Sequence, residues 1–316
     1  MKTFAANGKL LLTGEYLVLQ GALALAIPVR LGQRMTVCRS QGDTTVTPLI
    51  HWNAYTPRGI WFSATLRNDS FEILHTDDQK KAEKLSQILI TVRELNPKAF
   101  LHGLQVDTHL DFNPEWGLGS SSTLISNLAR WAHVDPYELL RRTFGGSGYD
   151  IACATAKGPI FYQLKPGEPF VQEADLHPSF ADNLFFVYQG IKQNSFTEVK
   201  KFIAHNKTLK TEKEVEEVSE ISKALPKASS LDEFQKLLEA HEAILSRRLD
   251  REPIKSRYPD FEGTIKSLGA WGGDFFLAAT RWPAQQVEAY FHQKGLDIIF
   301  NYNDLSHAEL LDSRCL

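Results

Sequence analysis

The run Pro114–Thr123 (PEWGLGSSST) sets two glycines and three serines directly ahead of the helical pattern Leu124–His133, and it constrains this chain more than any other feature. Glycine lets a backbone turn sharply and approach another group closely. The start of a helix carries free N–H groups and the positive end of the helix dipole. Together they favour a bound anion, above all a phosphate. The serine hydroxyls add donors for phosphate oxygens or a ligand for magnesium. No lysine follows the last glycine at the Walker A spacing, so this is a different kind of phosphate loop. The same residues would also make an ordinary N-cap with a supple approach, and taken alone the run leaves both readings open.

The chain has 316 residues, a length that suggests two domains, and its 43% hydrophobic content is enough for a real core. Its 35 basic and 38 acidic residues leave a net charge of −3, so no basic surface points to nucleic acid or to an anionic membrane. Cys38, Cys153 and Cys315 are far apart and odd in number. That argues against a disulfide framework and for a reducing, cytoplasmic setting. The histidines form no close metal-ligand pair. Lys2, Lys9 and Leu10–Leu12 superficially resemble a signal peptide, but Thr13-Gly14-Glu15 interrupts the apolar run at once.

Strand signals crowd the first third: Lys9–Thr13, Ala24–Val29, Met35–Cys38, Ile60–Ala64, Phe71–Leu74 and Leu104–Leu110. An amphipathic helix is expected over Lys81–Leu95, with Leu85, Ile88, Leu89 and Val92 on one face. A further strand, Pro159–Leu164, precedes a proline-punctuated connector at Lys165–Ser179. Beyond it a strand at Asn183–Tyr188 leads to helices at Thr197–Asn206, Glu212–Leu225 and Leu231–Leu249. Strands at Trp271–Thr280 and Asp297–Asn301 then flank a helix at Pro283–Lys294. The charged run Lys207–Glu220 reads as a solvated helix face, and no internal repeat is visible. The expected domains are residues 1–175 and 176–316.

Three further segments carry possible chemistry. In Phe144–Ala154 (FGGSGYDIACA), Asp150 follows three glycines and precedes an apolar stretch, either as a carboxylate at a cleft or as a cap. In Lys266–Ala279, Gly269, Gly272 and Gly273 precede a hydrophobic run, as they would in any tight turn. In Lys9–Tyr16 (KLLLTGEY) a lysine opens a strand that Gly-Glu closes, and alone it reads as a surface lysine.

In this order and at these separations, the four segments resemble the GHMP-type family of small-molecule kinases, which includes galactokinase, homoserine kinase, mevalonate kinase and phosphomevalonate kinase. The resemblance runs from Lys9 to Ala279, and GKLLLTGEYLVL, SGYDIA and GGD lean toward phosphomevalonate kinase. It implies an α+β fold: an N-terminal α/β domain joined to a ferredoxin-like domain, with ATP and acceptor in the cleft between them. It further implies that Gly117, Leu118, Gly119, Ser120, Ser121 and Ser122 cradle the ATP phosphates, with Ser121 a ligand of Mg²⁺. Asp150 and Lys9 match the family's catalytic pair. Gly272 and Gly273 match the loop that shapes the cleft from the second domain, and Lys192 and Ser195 fall where an acceptor loop is expected.

The implied activity is ATP-dependent phosphorylation of a small molecule, phosphomevalonate or mevalonate in isoprenoid precursor synthesis, or else a sugar or sugar phosphate. The partner is the small-molecule acceptor, with no nucleic acid and no membrane, and the enzyme is a monomer or homodimer. Two departures from the family pattern argue for a non-catalytic nucleotide-binding relic. Glu115-Trp116 stands where a lysine and an aromatic are usual, and Trp271 replaces a glycine. Glu138 lies near the spacing of a metal-binding glutamate, but Asp135-Pro136-Tyr137-Glu138 reads better as a helix start with a capping box.

Overall fold

The computed structural model describes residues 1–40, 48–191, 202, 211–269, 271 and 274–306. Strands β1 (Lys2–Thr13) and β2 (Ala24–Arg39) form a long antiparallel hairpin around the 3-10 turn Leu17–Gln20. The short strands expected at Lys9–Thr13, Ala24–Val29 and Met35–Cys38 are pieces of these two. Around them lie β3 (Leu49–Thr56), β4 (Gly59–Arg67), β5 (Ile73–Thr76), β6 (Leu104–Leu110), β7 (Ile160–Gln163) and β8 (Phe170–Glu173). The sheet order is β5-β4-β3-β6-β2-β7-β8 with β1 beside β2, and only the β3–β6 pair is parallel.

Alternation along these strands turns Ile50, Trp52, Ala54, Phe62, Ala64, Leu66 and Val106 to one face. That face packs on helices α1 (Gln79–Leu95) and α2 (Ser120–Ala132) through Leu85, Ile88, Leu89, Val92, Ile125 and Leu128. Asp78 caps α1 by accepting from the Lys81 N–H at 3.0 Å. Helices α3 (Pro136–Thr143) and α4 (Tyr149–Thr155) follow on the same side of the chain's turn-rich middle.

The chain leaves the first sheet at Glu173 and enters a second at β9 (Leu184–Tyr188). After β9 come α5 (Glu212–Ala224), α6 (Leu231–Leu249), β10 (Thr264–Ser267), β11 (Phe275–Ala279), α7 (Ala284–Gln293), β12 (Ile299–Asn301) and α8 (Tyr302–Ser306). The order β10-β11-β9-β12 is antiparallel throughout, the arrangement of a ferredoxin-like βαββαβ unit. All five residues of β9 are buried. Phe185 and Val187 pack with Phe291 of α7, while Leu184, Phe186 and Tyr188 join Leu10, Leu12, Ile27 and Val29 of the first sheet. One apolar core therefore runs between the sheets.

Several expectations need correction. The strand expected at Phe71–Leu74 is β5, two residues later; Phe71 itself sits in a turn at φ 57°, its ring buried against Phe100. The connector contains β8, an edge strand, where flanking prolines do not interrupt a ladder. β10 was hidden because Lys266 breaks its apolar pattern. The helix expected at Thr197–Asn206 lies outside the described residues except for Phe202.

Lys266 explains how the halves are locked. Its buried Nζ lies 2.6 Å from Oε1 of Glu15, in the turn after β1, and donates to the Ser267 carbonyl at 2.7 Å. The Gly14 N–H donates to Nε2 of His241 at 2.9 Å, and Thr13 and Ser222 share a 2.6 Å hydroxyl bond. The Trp271 N–H donates to the Tyr16 hydroxyl at 3.1 Å. Four consecutive residues thus grip four partners in the second half. Burial pushes the Glu15 carboxyl up to about 7 although Lys266 pulls the other way. Burial, helped by Lys266, holds His241 well below its ordinary value, so its ring is neutral.

Removing one partner of such a pair strands the other charge, so Lys266→Met should cost about 3–5 kcal/mol in urea denaturation; a loss under about 1 kcal/mol would mean the pair is solvated. Folded Glu15 holds its proton more tightly than the unfolded chain does. Its contribution to stability therefore declines as pH rises from the ordinary carboxyl range to about 7. The melting temperature of wild type should fall relative to that of Glu15→Gln over that interval; a pH-independent difference would contradict the assignment.

Candidate active site

The glycine-serine run forms a tight turn anchored on β1. The Lys9 N–H donates to the Leu118 carbonyl at 2.9 Å, and Leu118 is fully buried beneath the turn. Each glycine has its own reason to be there. At Gly119, φ is +98°, and a Cβ would meet the Ser122 hydroxyl at 2.8 Å and the Lys9 stem at 3.2 Å. At Gly117, φ is +68°, and a Cβ would fall 2.4–2.6 Å from the carboxylate of Asp274. The turn is thus closed in by a lysine on one side and by a carboxylate from the second half on the other.

Gly119 precedes the first helical residue of α2, and the first N–H to find an intrahelical acceptor is that of Thr123, on the Gly119 carbonyl. The N–H groups of Ser120, Ser121 and Ser122 are therefore directed out of the helix start. Ser121 is exposed and Ser120 half-buried. The buried Ser122 hydroxyl lies 2.9 Å from the Gly119 carbonyl and also bonds to the Asp150 carboxylate. Two serines thus face outward while the third ties the loop to Asp150. The turn fits an oligophosphate: donors converge, the glycines leave room, and the exposed Ser121 hydroxyl can ligate Mg²⁺.

Asp150 lies in the first turn of α4, behind the N-cap Gly148, and its Oδ1 accepts from the Ile151 N–H at 3.1 Å. It is not the N-cap residue, although its carboxylate accepts from first-turn amides of the helix. Burial raises its pKa, while Lys9, the local amides and Ser122 pull it back. Beside it, Tyr149 is pushed up to about 12 by burial, so its neutral oxygen accepts from the Lys9 ammonium, which lies 5.5 Å from the ring centre. Burial works against the charge on Lys9, but Tyr149, Asp274 and Asp150 outweigh it and raise its pKa. Lys9 is a half-buried ammonium held among those three groups.

Lys9, Gly117–Ser122 and Asp150 thus come together from β1, the loop before α2, and α4. Lys192, Ser195, Gly272 and Gly273 lie outside the described residues. Trp271 is buried in a cluster with Tyr16 and Leu17, and its carbonyl accepts from Arg251 at 3.0 Å. Trp116 packs on Tyr188 and Phe300 of the second sheet, at 6.3 and 5.7 Å between ring centres, and the Tyr188 hydroxyl donates to the Glu115 carbonyl at 3.0 Å. Asp135 accepts from the N–H groups of Tyr137 and Glu138, as expected. The reciprocal half of the capping box is replaced by a pair between Glu138 and Arg141 at 2.6 Å, which leaves Glu138 a structural role. Tyr149 was not expected among the site residues, and Asp274 was expected only as the end of the Gly269–Asp274 turn. Asp274 carried only one signal, its place just after Gly272-Gly273, and Tyr149 carried none beyond adjacency to Asp150.

Solved structures share this fold. Methanococcus jannaschii mevalonate kinase superposes with a TM-score of 0.69 at 18% identity, over 95% of this chain and 97% of that one. Streptococcus pneumoniae phosphomevalonate kinase, in complex with phosphomevalonate and AMPPNP, superposes with a TM-score of 0.66 at 17% identity, over 95% and 99% of the two chains. Lactococcus lactis galactokinase, complexed with galactose, gives 0.62 at 13% identity, over 92% and 87%. These neighbours are GHMP-family kinases, and what the likeness establishes is their two-domain fold. No family model and no curated protein matches the sequence.

A bulky side chain at Gly119 would collide with Ser122 and the Lys9 stem in a backbone conformation that disfavours it. Gly119→Val should therefore abolish binding of a non-hydrolysable ATP analogue in calorimetry while leaving the far-ultraviolet circular dichroism unchanged. Unaltered affinity would remove the loop from the nucleotide site.

Proposed function

We propose that the chain is an ATP-dependent phosphotransferase acting on a small metabolite, with phosphomevalonate or mevalonate as acceptor in isoprenoid precursor synthesis. The observation that carries this reading is the convergence of the Lys9 ammonium, the outward amides of Ser120–Ser122 and the Asp150 carboxylate around one glycine turn. Phosphoryl transfer asks a protein mainly for alignment and charge neutralisation, and these groups supply both. In this reading Gly117–Ser122 bind the nucleotide phosphates, and Lys192, Ser195, Gly272 and Gly273 contribute to the acceptor side. Ser121 would hold Mg²⁺ together with the nucleotide's own oxygens, and the ion would offset phosphate charge.

Asp150 serves an alcohol acceptor by taking or orienting the hydroxyl proton, a role suited to a carboxylate whose pKa burial has raised. For a phosphate acceptor, already largely anionic at neutral pH, cations matter more, and Lys9 and Lys192 are the candidates. Of the two departures that argued for a relic, Trp271 has a structural account, packed in a cluster with Tyr16 and Leu17 of the first half, while the missing positive charge at Glu115 has none.

A coupled ATPase assay over mevalonate, phosphomevalonate and a panel of sugars and sugar phosphates tests the proposal. Turnover with either mevalonate-type acceptor supports it; turnover with a sugar alone reassigns the acceptor class, and no acceptor-dependent turnover at all points to the relic. With an alcohol acceptor, Asp150→Asn should lower kcat by about a hundredfold to ten-thousandfold and remove an acid limb of kcat/KM lying above the ordinary aspartate range. With a phosphate acceptor the loss should be smaller. Wild-type turnover of an alcohol by the Asn variant would leave Asp150 without a chemical role.

A further inference from the structure

We propose that Asp274 is the positioning residue for Lys9, reaching the phosphate loop from the second sheet so that the lysine is correctly set only when the two halves are docked. This deepens the reading above and rests on Lys9 lying in the reactive cleft.

Asp274 is 6% exposed and has φ of 54°, left-handed backbone that a residue with a side chain adopts at a cost. The surrounding structure enforces that conformation from both sides. The Asp274 N–H donates to the Ile191 carbonyl at 2.8 Å, and its own carbonyl accepts from the Gln189 N–H at 2.8 Å, extending the β9–β11 ladder. The side chain so fixed lies against Gly117, where any Cβ would displace it.

A buried carboxylate facing a phosphate loop is electrostatically adverse unless a cation answers it. Lys9 does so: Asp274 is among the groups that keep its ammonium charged, with Tyr149 and Asp150 from α4. Cys153, the remaining titratable neighbour on α4, has its thiol pushed up by burial and by Asp150, so it carries no charge that would compete. Lys9 thus stands between one carboxylate from each half. Without Asp274 it would turn toward Asp150, away from the mouth of the turn, and lower the basicity of the carboxylate that handles the acceptor proton.

The test uses the full chain with Asp274→Asn, Asp274→Glu and wild type. Two readouts are followed: steady-state kinetics, and the pH dependence of Lys9 acylation by a small amine-reactive reagent, measured on the Lys9 peptide by mass spectrometry. Asp274→Asn should lose about tenfold to a hundredfold in kcat with KM for ATP little changed, as for a misplaced reacting group. Its Lys9 should become acylated at lower pH than in wild type, and Asp274→Glu should restore part of both. Unchanged acylation of Lys9 in the Asn variant overturns the proposal, whether or not kcat falls, because Asp274 would then act elsewhere. The acylation readout needs no acceptor. A chain without kinase activity would therefore refute the proposed function while still deciding whether Asp274 governs Lys9.

Discussion

The ion pair between Lys266 and Glu15 is the constraint on which the rest of the molecule depends. It lies in fully desolvated surroundings, where two charges are tolerated only if they meet each other; Glu15 Oε1 meets Lys266, while its buried Oε2 makes no hydrogen bond among the described residues. Lys266 satisfies a second acceptor at Ser267, and Ser267 in turn donates through its N–H and its hydroxyl to Glu242, so the charge is embedded in a network. Glu15 sits only six residues beyond Lys9 on the same excursion of chain. Fixing the turn at Gly14–Tyr16 therefore fixes the end of the strand that carries Lys9.

The apolar core gives the halves contact, but the polar clamp gives them register. A surface built of Leu, Val and Phe tolerates sliding, because burial is not directional. Hydrogen bonds from Thr13, Gly14 and Tyr16 to Ser222, His241 and Trp271 are directional and would all fail together on a small shift. Trp116 adds a rim contact with Tyr188 and Phe300, directly behind the phosphate turn. The cleft is thus bounded by a turn whose back is packed on the second sheet, and the same contacts that hold the halves together shape the site.

Among the described residues, charge around the turn is arranged about the Lys9 ammonium. The outward amides at the start of α2 and Lys9 make the floor positive, while Asp150 and Asp274 stand on opposite walls. In the proposed reading such a layout would hold an anion at the floor and keep a proton acceptor within reach, which a uniformly cationic pocket would not do. The tyrosine beside Lys9 remains neutral, so it steers the ammonium without adding charge.

The local elements of the site were legible in the chain. Glycine followed by serine at a helix start has few physical uses, and the apolar periodicities of α1, α2 and β6 announce the layers that flank it. Lys9, Gly117–Ser122 and Asp150 were each ambiguous taken alone, and they could be named only because the four segments, in their order and separations, resemble the GHMP-type kinases. β10 could not be read, because its buried lysine imitates a surface residue until its partner, 251 positions away, is known. Asp274, Glu15 and His241 were equally opaque, since their surroundings are built from residues distant in sequence. Local backbone preference and hydrophobic period are properties of neighbouring residues, so the sequence by itself determined most helices, most strands and the glycine-serine turn. Desolvation and pairing depend on what the folded chain brings from the other half, and so only the tertiary structure decided which lysine is locked in the core, which faces the cleft, and which carboxylates hold it there.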